Sequence, residues 1–286
     1  MVEMFWRAAL VLVPAVCGWA QQPVDLGADR PGFGVSSAVV PPGVLQIESG
    51  FSLSSEGDAT AATRTVVVGS PVLRIGLIRA LELRLDGDGF RSETSLEAGA
   101  PSRTVRGLSD FEVGAKIAVL SERHLRPAIA LLPSFTLPVG SPGLTASAVN
   151  PSLYAAWSKH LPASLSLSGN LVAASSKDEQ GRFLSSAESL NFGFPLAGKL
   201  AGYVEVYQVT SPERGAGSTR IFDGGLSRPL GARMQVDLQA GHTLHSSRPS
   251  WFVAMGFVYR ARNQRLALPC AATASMAAFT FSGSPR

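Results

Sequence analysis

In Leu81-Glu82-Leu83-Arg84-Leu85-Asp86 every second side chain is apolar and those between are charged. A period of two belongs to a β-strand, whose successive side chains point to opposite faces; a helix would scatter the same charges around its circumference. One greasy face and one charged face suit a strand between lipid and an enclosed aqueous interior. The alternation returns about twelve times along the chain. The predicted strands run over roughly 44–54, 65–77, 81–86, 108–120, 128–139, 152–158, 163–174, 187–196, 200–209, 219–227, 233–244 and 251–260. It is cleanest where Leu165, Leu167 and Leu171 oppose Ser164, Ser166, Ser168 and Asn170, and where Trp251, Val253, Met255, Phe257 and Tyr259 share one face.

The predicted connections mostly alternate short and long. Those at 78–80, 121–126, 159–162, 197–199 and 228–232 are short, whereas 87–107 is a long polar loop able to fold over a mouth. Segments 55–64, 140–149, 175–186 and 210–218 are intermediate, and 245–250 breaks the rule. Outer-membrane barrels have short periplasmic turns and longer external loops. The expected fold is therefore all-β: an antiparallel transmembrane β-barrel of about twelve strands. Composition agrees, since charged residues make up only 16% of the chain, against about 25% in soluble domains. After the N-terminus no apolar run is long enough for a spanning helix, so a membrane-embedded form of this chain must be a closed barrel.

Four segments are expected. Residues 1–20 read as an export signal, with Arg7, an apolar stretch from Ala8 to Val16 and the small-x-small end Gly18-Trp19-Ala20, so the mature chain begins at Gln21. Residues 21–43, rich in Gly and Pro, form an irregular periplasmic leader or plug segment. The barrel occupies 44–260, and 261–286 is an atypical tail. Loss of the signal removes Cys17 and leaves Cys270 without a partner, consistent with an oxidising compartment. The formal charge of +4 and the absence of basic runs exclude nucleic acid as a partner.

The inward phase collects Glu48, Arg74, Glu82, Arg84, Asp86, Asp110, Glu112, Lys116, Glu205 and Asp237. Either these charges neutralise one another and fill a narrow lumen, or some form a selectivity ring for small solutes. Trp157, Trp251 and Tyr259 fall in the outward phase near strand ends, as interfacial aromatics do. His124 and His160 lie in short turns. His245-Ser246-Ser247 lacks an orienting partner for nucleophilic chemistry, and no nucleophile elbow, phosphate loop or metal spacing is present. The expectation is a non-enzyme without cofactor, whose partners are outer-membrane lipid, small-molecule solutes and the barrel-assembly machinery.

Several short stretches resemble one family. Asp29-Arg30-Pro31-Gly32-Phe33, then 37–43 leading into Leu45-Gln46-Ile47-Glu48, open the match. Leu73-Arg74-Ile75-Gly76-Leu77, Gly114-Ala115-Lys116, Leu137-Pro138-Val139-Gly140, Asp223-Gly224-Gly225-Leu226 and Trp251-Phe252-Val253 continue it. In order and spacing they resemble the Gram-negative outer-membrane proteins of the MetA-pathway of phenol degradation family, often labelled transporters. The resemblance spans 29–260 and implies a porin-like barrel passing small organic, including aromatic, molecules. Such barrels end on an aromatic residue, whereas here Tyr259-Arg260 is followed by the tail. The readings carried forward are an open conduit, a conduit whose lumen is occupied by the leader, a structural or adhesive barrel with a closed lumen, a secreted β-sandwich and a barrel lipid hydrolase.

Overall fold

In the computed structural model, which describes residues 26–246 and 248–262, fourteen strand segments form one antiparallel sheet. They are β1 (Val44–Gly57), β2 (Ala61–Ile78), β3 (Leu81–Gly87), β4 (Gly89–Glu97), β5 (Arg103–Leu108), β6 (Phe111–Leu120) and β7 (Ala128–Leu137). The remainder are β8 (Pro151–His160), β9 (Ser166–Asp178), β10 (Gly181–Pro195), β11 (Ala201–Thr210), β12 (Ser218–Pro229), β13 (Met234–His245) and β14 (Ser250–Arg262). β3 and β4 pair successively with the long β2, and β6 and β5 continue that order on their far side. Each couple is thus one stave interrupted once, and the sheet is a closed barrel of twelve staves. Closure comes from β1 against β14, in register from Val44↔Arg262 to Glu56↔Ser250.

The expected signal over 1–20, with Cys17, and Gln21 lie outside the described residues, as do Ser247 and the tail from 263 with Cys270.

The period of two is realised as two surfaces. Leu83, Leu153, Leu171, Val206, Val236 and Met255 are exposed on the outside, whereas Arg74, Glu82, Lys116, Asn170, Glu205 and Asp237 are buried inside. Such an apolar exterior around a polar interior is the arrangement of a barrel in lipid.

The expected long and intermediate loops are different in kind. Residues 87–107 are not a loop over the mouth: β4 and β5 continue β3 and β6 outward as a ribbon hydrogen-bonded to the upper half of β2. Likewise β9 and β10 run on until only residues 179–180 connect them, and 58–60 alone join β1 to β2. Above the apolar band both faces of a ribbon meet water, so the ladder persists while the alternation that betrays it fades.

The interruptions are aligned. The register slips between Glu48 and Gly50 in β1, Gly69 and Ser70 take positive φ in β2, and Asp88 and Ser109-Asp110 break the next two staves. Gly69 supplies the left-handed backbone such an irregularity requires.

Candidate functional site

The short turns and the bases of β1 and β14 share one end of the barrel, and from there residues 26–43 enter the lumen. This segment has no strand of its own, so its amides use inward side chains of the wall. Val40 N donates to Glu82 Oε2 on β3 (2.6 Å), and Ser37 Oγ meets Ser158 Oγ on β8 (2.6 Å). Asn170 on β9 holds Val35 from both sides, Oδ1 accepting its amide and Nδ2 donating to its carbonyl. Phe33 N donates to Glu205 on β11 and Gly32 N to Gln239 on β13, each at 2.7 Å. The chain therefore sweeps the inner wall and returns to its start. Arg74 fastens the two ends, its NH1 donating to Gly27 O (2.6 Å) and its NH2 to Ala38 O (2.8 Å). Residues 27–38 are an Ω-shaped loop lying across the lumen.

Under one side of this loop, β2, β3 and β6 carry a network of buried charges. Asp29 contacts Lys116 Nζ at 3.1 Å, Arg74 NH1 at 3.5 Å, and Arg84 NH1. Arg74 also pairs with Glu82 (2.8 Å) and Glu48 (3.1 Å), Arg84 with Asp86 (3.1 Å), and Lys116 with Glu82 (3.6 Å). Arg74, Glu48, Glu82 and Lys116 are 0% exposed, so each charge must be paired where it stands. Burial opposes charge on Asp29, but the Arg74, Arg84 and Lys116 cations outweigh it and hold the carboxyl well below the usual carboxylate range. Arg260 extends the network, donating to Gln46 Oε1 at 2.9 Å and to Leu26 O.

The opposite wall, β11 to β13, is acidic. Glu205 and Asp223 stand directly opposite one another in the ladder, and Asp237 lies on the next strand. Arg30 meets Asp237 at 3.4 Å. The carboxylate oxygens of Asp223, a residue 1% exposed, have the Tyr203 hydroxyl as their hydrogen-bonding neighbour. Beside them the Phe33 ring stacks on Tyr207, with centroids 4.2 Å apart and planes 6° from parallel.

Missing side chains make the room. A Cβ on Gly50 would stand 2.6 Å from Arg30 NH2, and one on Gly256 would be closer still to the same guanidinium. A Cβ on Gly76 would collide with the carbonyls of Val40 and Pro41.

Seven of the ten inward charges read from the sequence are thus brought into contact with the leader or its network: Glu48, Arg74, Glu82, Arg84, Lys116, Glu205 and Asp237; Asp86 joins through Arg84. Glu112 instead accepts from Ser134 Oγ at 2.6 Å. Asp110 is not in this constellation. Sitting at the break between β5 and β6, it accepts the amides of Gly140 and Ala146 at 2.8 Å and anchors the 138–150 connection. Trp251 and Tyr259 are exposed on the outer face, and Trp157 is half-buried against Gly169. His160 bonds Glu122 at 2.7 Å in the turns, and Ser246 shares its hydroxyl with Thr219.

The alternation sets Gln239 in the polar phase of its strand beside Asp237, and it does not single out Asp29, Arg30, Asp223 or Arg260. Asp223 was within reach, lying between Phe222 and Gly224 in a predicted strand; Asp29 and Arg30 sit in irregular chain that has no phase to read.

A cavity of about 550 Å³ remains between the loop and β8 to β12, lined by Ser158, Ser166, Ser168, Asn170, Asn191 and Ser227, with Glu122, Lys159 and His160 also along it. Those hydroxyls and amides are interspersed with apolar groups, among them Val35, Phe194 and Leu200.

Comparison with known proteins gives two findings. Residues 28–261 match the model of the family described as Putative MetA-pathway of phenol degradation. Among solved structures, the COG4313 outer membrane channel from Pseudomonas putida F1 is similar, with a TM-score of 0.58 at 14% identity, over 79% of this chain and 98% of that one. The NanC porin gives 0.46 at 8% identity over 75% and 98%, and the translocator domain of the autotransporter NalP from Neisseria meningitidis 0.47 at 13% over 82% and 91%. The likeness to the COG4313 channel shows the barrel fold. No curated protein matches the chain.

Proposed function

Because the chain belongs to the Putative MetA-pathway of phenol degradation family, we propose that it is an outer-membrane conduit for passive passage of small organic solutes, aromatic ones among them, held shut at rest by its leader. The observation that carries this reading is how the lumen is filled. The occluding loop is bound by side-chain hydrogen bonds and ion pairs rather than by a strand ladder. Such an obstruction can leave without unzipping the wall, whereas a lumen packed by the wall's own side chains could not open.

The barrel contributes three things to passage. Its apolar exterior seats it in lipid, its hydroxyl-lined cavity hydrates a solute at the turn end, and its charged walls sort what goes further. Flow follows the solute gradient.

Liposome swelling with sugars, amino acids and phenols tests the reading. The intact chain should give slow swelling and Arg74→Met, which frees both ends of the loop, fast swelling. If both are impermeable to every solute, the barrel is a closed structural or adhesive element, the reading the filled lumen would then favour.

A further inference from the structure

The leader brings one aromatic side chain to the lumen wall, and it does so between two glycines. In Gly32-Phe33-Gly34 the chain lies so close to the wall that a Cβ on Gly32 would stand 3.0 Å from Glu205 Oε2, and one on Gly34 would collide with the Asn170 amide. Phe33 meets the wall twice: its amide N donates to Glu205 Oε2 at 2.7 Å, and its ring stacks on Tyr207. Joined through Cα and Cβ, that nitrogen and that ring are the skeleton of phenethylamine. We propose that Glu205 and Tyr207 form a binding site for arylethylammonium solutes, that Phe33 occupies it as a tethered stand-in, and that such a solute opens the conduit by taking the place of Phe33. The inference deepens the conduit reading and, for its opening step, rests on it.

Each half of the site fits one half of such a solute. Tyr207 is buried beneath Phe33, which is itself 37% exposed and so within reach from the lumen. Lifting Phe33 bares an aromatic face for the solute's ring, in the parallel packing the pair already shows, with centroids 4.2 Å apart and planes 6° from parallel. Glu205 lies two residues nearer the turn end of β11, on the same face, and accepts the amides of Phe33 and Gly34. Once those amides leave, this buried carboxylate needs a donor, and a charged one serves it better than a neutral one. A second observation calls for a cation. Arg30, which pairs with Asp237 on this wall, is carried off with the loop, so an ammonium restores positive charge where positive charge has been withdrawn. Tyr203 and Glu205 also line the cavity of about 550 Å³, which gives a solute held here room to move on toward the turn end. Because solute and Phe33 exclude one another, the solute binds only the state with the loop lifted and shifts the population toward it.

The experiment compares the full chain with its Phe33→Ala variant by calorimetry, titrating phenethylammonium chloride into each refolded barrel after its heat-modifiable gel shift has been checked. The variant should bind about two- to ten-fold more tightly, the factor by which losing the stacked ring weakens the tethered competitor. In that variant phenethyl alcohol should bind at least about ten-fold more weakly than the ammonium. Phenylbutylammonium, whose nitrogen and ring no longer match the distance from Glu205 to Tyr207, should also bind more weakly. Equal affinity of the two chains for phenethylammonium, or no preference for it over the alcohol, overturns the site even if the barrel conducts freely. The expected order of affinities in a barrel that no concentration of the amine makes conduct overturns the conduit reading and leaves the site standing. Should Phe33→Ala fail to fold, a solvent-sensitive dye on Ala28→Cys, in a Cys270→Ser background, replaces it. Phenethylammonium should then shift the emission as the loop lifts, and phenethyl alcohol at the same concentration should not; a dye indifferent to both overturns the proposal.

Discussion

The two walls of the lumen solve the problem of buried charge in opposite ways. Beside β2, β3 and β6, Glu48, Glu82, Asp86 and the leader's Asp29 each lie against a guanidinium or ammonium, and Arg74 alone reaches Glu82, Glu48, Asp29 and two leader carbonyls. On β11 to β13, Glu205 faces Asp223, and among the described residues the cation paired with this wall is Arg30, through Asp237. The first wall takes the leader's carboxylate in among its cations; the second holds the leader through one ion pair and through the amides of Gly32 and Phe33. Ion pairs that include a removable member suit a fastening, and carboxylates met mostly by hydrogen bonds suit an interior that can exchange them for a solute's.

The sharpest way to break this contrast is to remove the centre of the paired wall. Arg74→Met strips Glu48, Glu82 and Asp29 of a shared partner and should cost about 3–5 kcal/mol, read as reduced resistance to urea in refolded barrels, together with release of the leader. A loss below about 1 kcal/mol would mean the network is solvated rather than buried. The same experiment on the other wall should go the opposite way. Asp223→Asn removes a buried charge that has no cation against it among the described residues and should stabilise by about 1 kcal/mol or more; destabilisation would show that the bond with the Tyr203 hydroxyl outweighs the cost of burying the carboxylate.

Protonation gives a gentler probe. Asp29 has its carboxyl held below the ordinary range by the three cations, so its contribution to docking is complete above the unfolded value of about 3.9 and lost only as pH falls through the lower folded one. A solvent-sensitive dye on Ala28→Cys, in a Cys270→Ser background, should keep its emission from neutral pH down to about pH 4 and shift only below. A shift near pH 5 would mean that burial, rather than the three cations, governs the Asp29 carboxyl. Smallest of all is Glu122→Gln in the turns. Hydrogen bonds from Lys159 and His160 lower that carboxyl to about 2, so its contribution is present above about pH 4.3 and fades as pH approaches 2. It is half-buried at the mouth of the barrel, its partners Lys159 and His160 reach solvent, and the variant should change stability by less than about 1 kcal/mol.

How far the chain's own pattern reveals this architecture follows from which solvent each face meets. Leu83, Val113 and Val236 could be assigned outward because lipid admits apolar side chains only, and the resulting period of two survives in every stave. The same constraint found Glu82, Lys116, Glu205 and Asp237. It lapses where water lies on both sides, which is why 87–107 reads as loop although β4 and β5 are regular ribbon. Asp110 shares the inward phase of its strand, but the break beside it turns the side chain to the amides of 140 and 146. The leader is opaque for another reason. Its order comes from the wall rather than from its own periodicity, and its seats at Gly50, Gly76 and Gly256 are defined by side chains that are absent. Only the recurrence of Asp29-Arg30-Pro31-Gly32-Phe33 as a family motif hinted that this irregular stretch matters.

The claim on which the rest depends is that the loop must leave for solutes to pass. Ser37 and Ser158 bring their hydroxyl oxygens within 2.6 Å, so Ser37→Cys with Ser158→Cys, in a Cys270→Ser background, can tether the loop to β8. In swelling assays on vesicles that carry this pair together with Arg74→Met, oxidation should stop uptake and a reductant should restore it. Uptake indifferent to the tether would show that solutes pass beside a docked leader, and the account of a loop-gated conduit would be wrong.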